Sequence, residues 1–132
     1  MTRGSVRREV RIARPAGEVW ARIGDPARVQ DWFVGIVDST VDGTSRVVIT
    51  GSGIPMPEEI VTCDDLQRRF QYRITAGLVR EHLSTLDVHD LGDGTSLVVY
   101  SCDADPATMA LVIGGAAGSA LEQLRTTMEG QR

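Results

Sequence analysis

Between residues 5 and 13 apolar and charged positions alternate: Val6, Val10 and Ile12 fall in one phase, Arg7, Glu9 and Arg11 in the other. A period of two is that of a strand with one buried face. Pro15 breaks the pattern and opens a short helix that includes Trp20. Gly24, Asp25 and Pro26 stop that helix and cap a second one over 27–32. Six more strand-like segments follow, at 36–41, 46–50, 58–64, 68–75, 82–89 and 95–103. Turn chemistry separates them: Asp42-Gly43, the loop 51–57, Asp64-Asp65, Ala76-Gly77 and Gly92-Asp93-Gly94. Such short connections make hairpins and therefore an antiparallel sheet. Pro106 opens a final helix that runs to Glu129 and ends at Gly130. Met109, Ile113, Ala116, Ala120, Leu124 and Met128 recur along it at helical spacing. About 24 residues at 1.5 Å each span roughly 36 Å, enough to cross a whole sheet.

The predicted order is one strand, two short helices, six strands and one long helix, an α+β architecture. A seven-stranded antiparallel sheet has a face to bury, and a single long helix is available to bury it. A strongly curved sheet wrapped around that helix is the simplest solution. The middle of the helix carries Gly114, Gly115, Ala116, Ala117, Gly118, Ser119 and Ala120. Small residues there either leave a ligand cavity between helix and sheet or act as spacers for close contact. The cavity is the expectation carried forward.

Composition narrows the chemistry. The chain has 132 residues, 42% hydrophobic and 24% charged, the make-up of one globular domain over residues 1–132. Its formal charge is −4, with a sequence pI of about 5.1. Such a balance disfavours nucleic acid as a partner. All 14 basic residues are arginine, so no catalytic lysine exists. The arginines at 3, 7, 8, 11 and 14 form either a solvated face or a site for an anionic partner. Cys63 and Cys102 match neither a disulfide scaffold nor a metal motif, and no metal or cofactor is expected. The first ten residues contain no apolar run of a secretory signal. The uncharged run 107–121 is shorter than the roughly 18 residues of a membrane span. A cytoplasmic protein, monomeric or homodimeric, is expected.

Strand alternation assigns side chains to faces. Glu58 shares a phase with Ile60 and Thr62, Tyr72 with Phe70 and Ile74, His82 and Ser84 with Leu86 and Val88, and Tyr100 with Val98 and Cys102. With those faces concave, one lining holds Glu58, Tyr72, His82, Ser84, Tyr100 and Cys102. Glu58 is either a cavity carboxylate with a raised pKa or a strand-mouth residue paired with an arginine. His82 is either a proton shuttle or a hydrogen-bonded wall residue. The tyrosines suit an apolar wall with polar handles. His89, beside Asp87 and Asp90, is expected in solvent. Trp32 and Phe33 either pack the second helix or form an entrance, and Met56 at the loop tip serves as a lid. Met109 and Ile113 face the cavity from the last helix. No G-x-S-x-G elbow or phosphate-binding loop is present.

Several motifs, in order, carry a resemblance: Ala16-Gly17-Glu18-Val19-Trp20, Asp25-Pro26, Asp31-Trp32, Glu58-Glu59-Ile60 with Asp64-Asp65, Phe70-Gln71-Tyr72-Arg73-Ile74, Gly94-Thr95, and the long helix after Pro106. From Val6 to Met128 the chain resembles the START/Bet v 1-like (SRPBCC) superfamily, and within it the small bacterial polyketide cyclase/dehydrase-type proteins. The resemblance implies a helix-grip fold, and a cavity carboxylate at Glu58. The segment 52–57 is similar to the gating loop of plant abscisic-acid receptors. Their latch is not reproduced over 76–80, so no hormone-type switch is carried over. The expected function is binding of a hydrophobic small molecule such as a lipid or polyketide. The alternatives are a cyclase or dehydratase with Glu58 and His82 as acid–base residues, or a protein–protein module.

Overall fold

The computed structural model describes residues 2–130, so Met1, Gln131 and Arg132, the outer limits of the expected domain, lie outside the described residues. Seven strands, β1 (Gly4–Ile12), β2 (Ile36–Asp42), β3 (Ser45–Thr50), β4 (Pro55–Asp64), β5 (Arg69–Ile74), β6 (Glu81–Asp90) and β7 (Ser96–Asp105), form one antiparallel sheet in the order β1-β7-β6-β5-β4-β3-β2. After β1 the chain crosses to the far edge through helix α1 (Ala16–Ile23) and a 3-10 turn (Pro26–Asp31), then returns hairpin by hairpin. Helix α2 (Ala107–Glu129) closes the chain. This is the antiparallel sheet with a closing helix that the alternation and turn chemistry predict, and the helix-grip arrangement that the resemblance implies. The second short helix is the 3-10 turn, capped by the Asp25 carboxylate, which accepts from the Ala27 N–H at 3.1 Å.

Two details depart from the expectation. β4 begins at Pro55, so Pro55 and Pro57, read as loop residues, are in strand and pair with Ile49 and Val47. Proline is tolerated here for a geometric reason. The Pro57 carbonyl accepts from Thr75 N–H, so its nitrogen also faces the β5 side, where β5 has already ended at Ile74. Met56 is therefore a half-buried strand residue opposite Val48, packed against the core, rather than the tip of a lid. The bulge after Ile60 also turns Thr62 to the outer face, where it donates to Gln71 at 2.8 Å.

The buried side of α2 is Ala110, Gly114, Ala117, Ala120, Leu121, Leu124 and Met128. Met109 and Ile113 flank that face half-buried, and Ala116 is exposed. The small residues are spacers. A Cβ placed on Gly114 would meet Val6 Cγ1 at 2.6 Å, and one on Gly4 would meet the Ala107 backbone at 3.0 Å. The first half of α2 thus lies directly on β1 and β7, and the cavity expected there is filled. Gly114→Ala should lower the unfolding free energy in urea denaturation by about 1–2 kcal/mol despite alanine's better helix propensity, because the added methyl meets the branched Val6 side chain at both Cγ1 and Cβ. The Val6→Ala/Gly114→Ala double variant should recover part of that loss.

Candidate functional site

The β3–β4 hairpin is centred on Ser52, which sets Arg46 directly opposite Glu58 on the concave face. Arg46 Nε and Nη2 both reach Glu58 Oε1, at 2.8 and 2.7 Å, and the two side chains are only 3% and 6% exposed. Arg46 Nη1 donates to the Pro26 carbonyl at 3.2 Å, tying the crossover to the sheet. The guanidinium carbon lies 5.1 Å from the ring centres of both Phe70 and Tyr72. Removing two charges from water costs several kcal/mol per ion, which mutual attraction, hydrogen bonds and ring faces must offset. Burial pushes the Glu58 carboxyl up from its ordinary value, and the Arg46 charge and hydrogen bonds oppose that rise.

Tyr72 on β5 and Tyr100 on β7 share a hydrogen bond between their hydroxyls. Burial, reinforced by the Glu58 charge, pushes Tyr72 up to about 12. Burial and then Tyr72 itself hold Tyr100 well above the ordinary range, so both hydroxyls stay protonated and one donates to the other. His82 lies against Tyr72, ring centres 5.4 Å apart. Its Nδ1 accepts from the Ile74 N–H at 2.8 Å. The hydrogen-bond network therefore assigns the ring proton to Nε2, which donates to Ser84 Oγ at 2.8 Å. Burial, then the nearby Arg73 charge, lowers His82 to about 4, and the ring is neutral.

Trp32, Phe33, Arg46, Glu58, Tyr72 and Tyr100, with aliphatic neighbours from α1, the 3-10 turn, β2 and β6, enclose a cavity of about 40 Å3. A water requires roughly 10–15 Å3, and a drug-sized pocket at least about 300 Å3. The cavity lies under the crossover, and none of its lining residues comes from α2. On its outer side a cleft of about 150 Å3 runs between the crossover and the C-terminal half of α2, at Gln123, Leu124 and Thr127. Trp32, Phe33 and Ile36 wall both spaces. Trp32 is 7% exposed, and its indole nitrogen is buried with no hydrogen-bond partner.

Of the residues singled out in the sequence, Trp32, Glu58, Tyr72 and Tyr100 meet around this cavity. His82 and Ser84 are buried behind Tyr72 and do not line it. Met56 packs on the core from β4. Met109 and Ile113 pack with Val6, Cys102, Ala104 and Ala110 over β1 and β7. Arg46 is the residue the sequence reading missed. A loop ending at Pro57 shifts the hairpin centre and hides its pairing, whereas a hairpin centred on Ser52 places it opposite Glu58. Among the described residues no group of three or more His, Cys, Asp or Glu side chains is placed to hold a metal ion. Nor is any described helix long and apolar enough to cross a membrane.

Known proteins share this architecture. An uncharacterised protein from Bacillus thuringiensis superposes with a TM-score of 0.87 at 24% identity, covering 94% of this chain and 98% of its own. The di-domain aromatase/cyclase BexL of the BE-7585A biosynthetic pathway superposes at 0.80 with 17% identity, covering 95% of this chain and 46% of its own. Norcoclaurine synthase from Thalictrum flavum, solved with dopamine and hydroxybenzaldehyde, superposes at 0.72 with 17% identity, covering 98% of this chain and 89% of its own. At these identities the likeness is one of fold. No curated protein matches the sequence significantly. The sequence profile described as polyketide cyclase/dehydrase and lipid transport matches residues 3–129, and the chain belongs to that family.

Proposed function

We infer that the chain is a cytoplasmic small-molecule binding protein, a single domain whose hydrophobic ligand lodges under the crossover, between the concave sheet and the Trp32–Phe33 wall. The observation that carries this reading is the buried Arg46–Glu58 pair, wrapped by aromatic rings at the edge of an unfilled space. A fold-stabilising core has no need of such a pair, since apolar residues of equal volume do as well or better. The space is about 40 Å3, so this reading requires the wall it shares with the outer cleft to move when a ligand enters. Binding is favoured over acid–base catalysis because both His82 ring nitrogens are occupied and His82 does not share the cavity with Glu58.

The test is native mass spectrometry of protein purified from its own host, combined with thermal shifts across a panel of lipids, polyketides and aromatic ketones. A co-purifying small molecule, or a ligand at about 100 times its Kd adding about 2.7 kcal/mol of stability, is the expected result. A bare chain with no shift across the panel overturns the reading.

A further inference from the structure

Two indole N–H groups are present, and the fold treats them differently. Trp20 Nε1 donates to Asp65 Oδ1 at 2.8 Å. Trp32 Nε1, in a side chain 7% exposed, has no acceptor. A buried donor left unpaired is costly, and native proteins rarely keep one without a use. Trp32 stands in the wall between the 40 Å3 cavity and the 150 Å3 cleft. The guanidinium nearby is already paired: Arg46 Nε and Nη2 donate to Glu58 and Nη1 to the Pro26 carbonyl, so the pair carries no net charge to draw in an anion.

We propose that Trp32 is the specificity-determining residue of the ligand site, its indole N–H donating to a neutral acceptor oxygen, a ketone or similar carbonyl, on a guest of one or two rings. The size follows from the two spaces. The inner cavity of about 40 Å3 is too small for a ring, and the cleft beside it, about 150 Å3, is open and partly polar, so a guest of one or two rings fits only across the wall that the two spaces share. A neutral oxygen follows from the charge balance of the Arg46–Glu58 pair and from the uncharged indole N–H left without an acceptor. Long-chain lipids exceed the space. The inference rests on the interior-binding reading above and adds the group that is recognised.

The experiment uses two probes of nearly equal shape, 1-indanone and indane, titrated into the full chain labelled with 15N. Trp20 supplies an internal reference, because its indole N–H is already bonded. The expected result is a downfield move of the Trp32 indole proton with 1-indanone only, and about tenfold tighter binding of 1-indanone than of indane, the worth of one such hydrogen bond. Trp32→Phe should erase that preference, so that 1-indanone binds no more tightly than indane to the variant. The wild-type resonance provides the test even where the variant fails to fold. If both probes bind alike and the Trp32 resonance stays in place, a trapped water satisfies the indole. The proposal then falls, while interior binding stands. If neither probe binds, the binding reading for ring-sized guests fails, and the proposal with it.

Discussion

Glu58→Ala should destabilise the protein by about 3–5 kcal/mol, among the largest losses available to a single substitution in this chain. The lost contact is the smaller part of the effect. Removing the carboxylate leaves the Arg46 guanidinium, 3% exposed, without a counter-charge between Phe70 and Tyr72. Arg46→Met/Glu58→Leu removes both charges and keeps most of the volume, so it should return to wild-type stability or above it. Urea denaturation monitored by circular dichroism reads both, with the slope checked for constancy so that midpoints report stability. A loss below about 1 kcal/mol for Glu58→Ala would mean that Arg46 escapes to solvent, contrary to the packing described.

Acid should weaken the fold through His82 before it acts through the carboxylates. The imidazole falls from 6.5 to about 4 on folding, so the folded state favours the neutral ring. A lowered histidine contributes stability that is complete above pH 6.5 and is lost as pH falls towards 4. The full loss is about 3 kcal/mol, with a limiting slope of about 1.4 kcal/mol per pH unit. Asp93, Asp105 and Glu129 have lowered values and lose their contributions only in the carboxylate range below. Glu58, raised by burial, works in the opposite sense. The interval from pH 6.5 to 5 therefore reports mainly on His82. His82→Asn keeps an acceptor for the Ile74 N–H and removes the titration, so its stability should be nearly flat across that interval. An equal slope in wild type and variant would refute the assignment. Cys102, buried beside Ser84, contributes nothing here because its thiol is raised further above neutrality.

Most of the architecture was legible because period-two alternation and hairpin turn chemistry are local signals. The predicted strand at 82–89 became Glu81–Asp90, and the helix after Pro106 ends at Glu129 as its glycine stop implies. The site was legible as far as phase carries. Glu58, Tyr72 and Tyr100 share a concave face, and Trp32 stands at the end of the 3-10 turn. What was not legible depends on distances between elements. Pro55 and Pro57 look like loop residues until one knows that β5 stops short of them, and that misreading hid Arg46. The small residues of α2 allow either a gap or close approach. The sequence alone does not tell them apart, and the clash a Gly114 side chain would make with Val6 decides for close approach.

The sheet is open, and β2 is its last strand. A free rim of backbone donors and acceptors can template a strand from another molecule. Here that rim is spoiled three ways. The register slips at Val37 between Ile36 and Asp38. Ser39 Oγ is held at 2.8 Å from the Ala27 carbonyl and 2.6 Å from Gln30 Oε1. Asp38 and Asp42 put negative charge along the strand. Val37 itself is 61% exposed, so the acidic neighbours act as gatekeepers for an apolar residue at an unprotected border. The crossover that shapes the binding interior thus also braces the border where one copy would otherwise recruit the next.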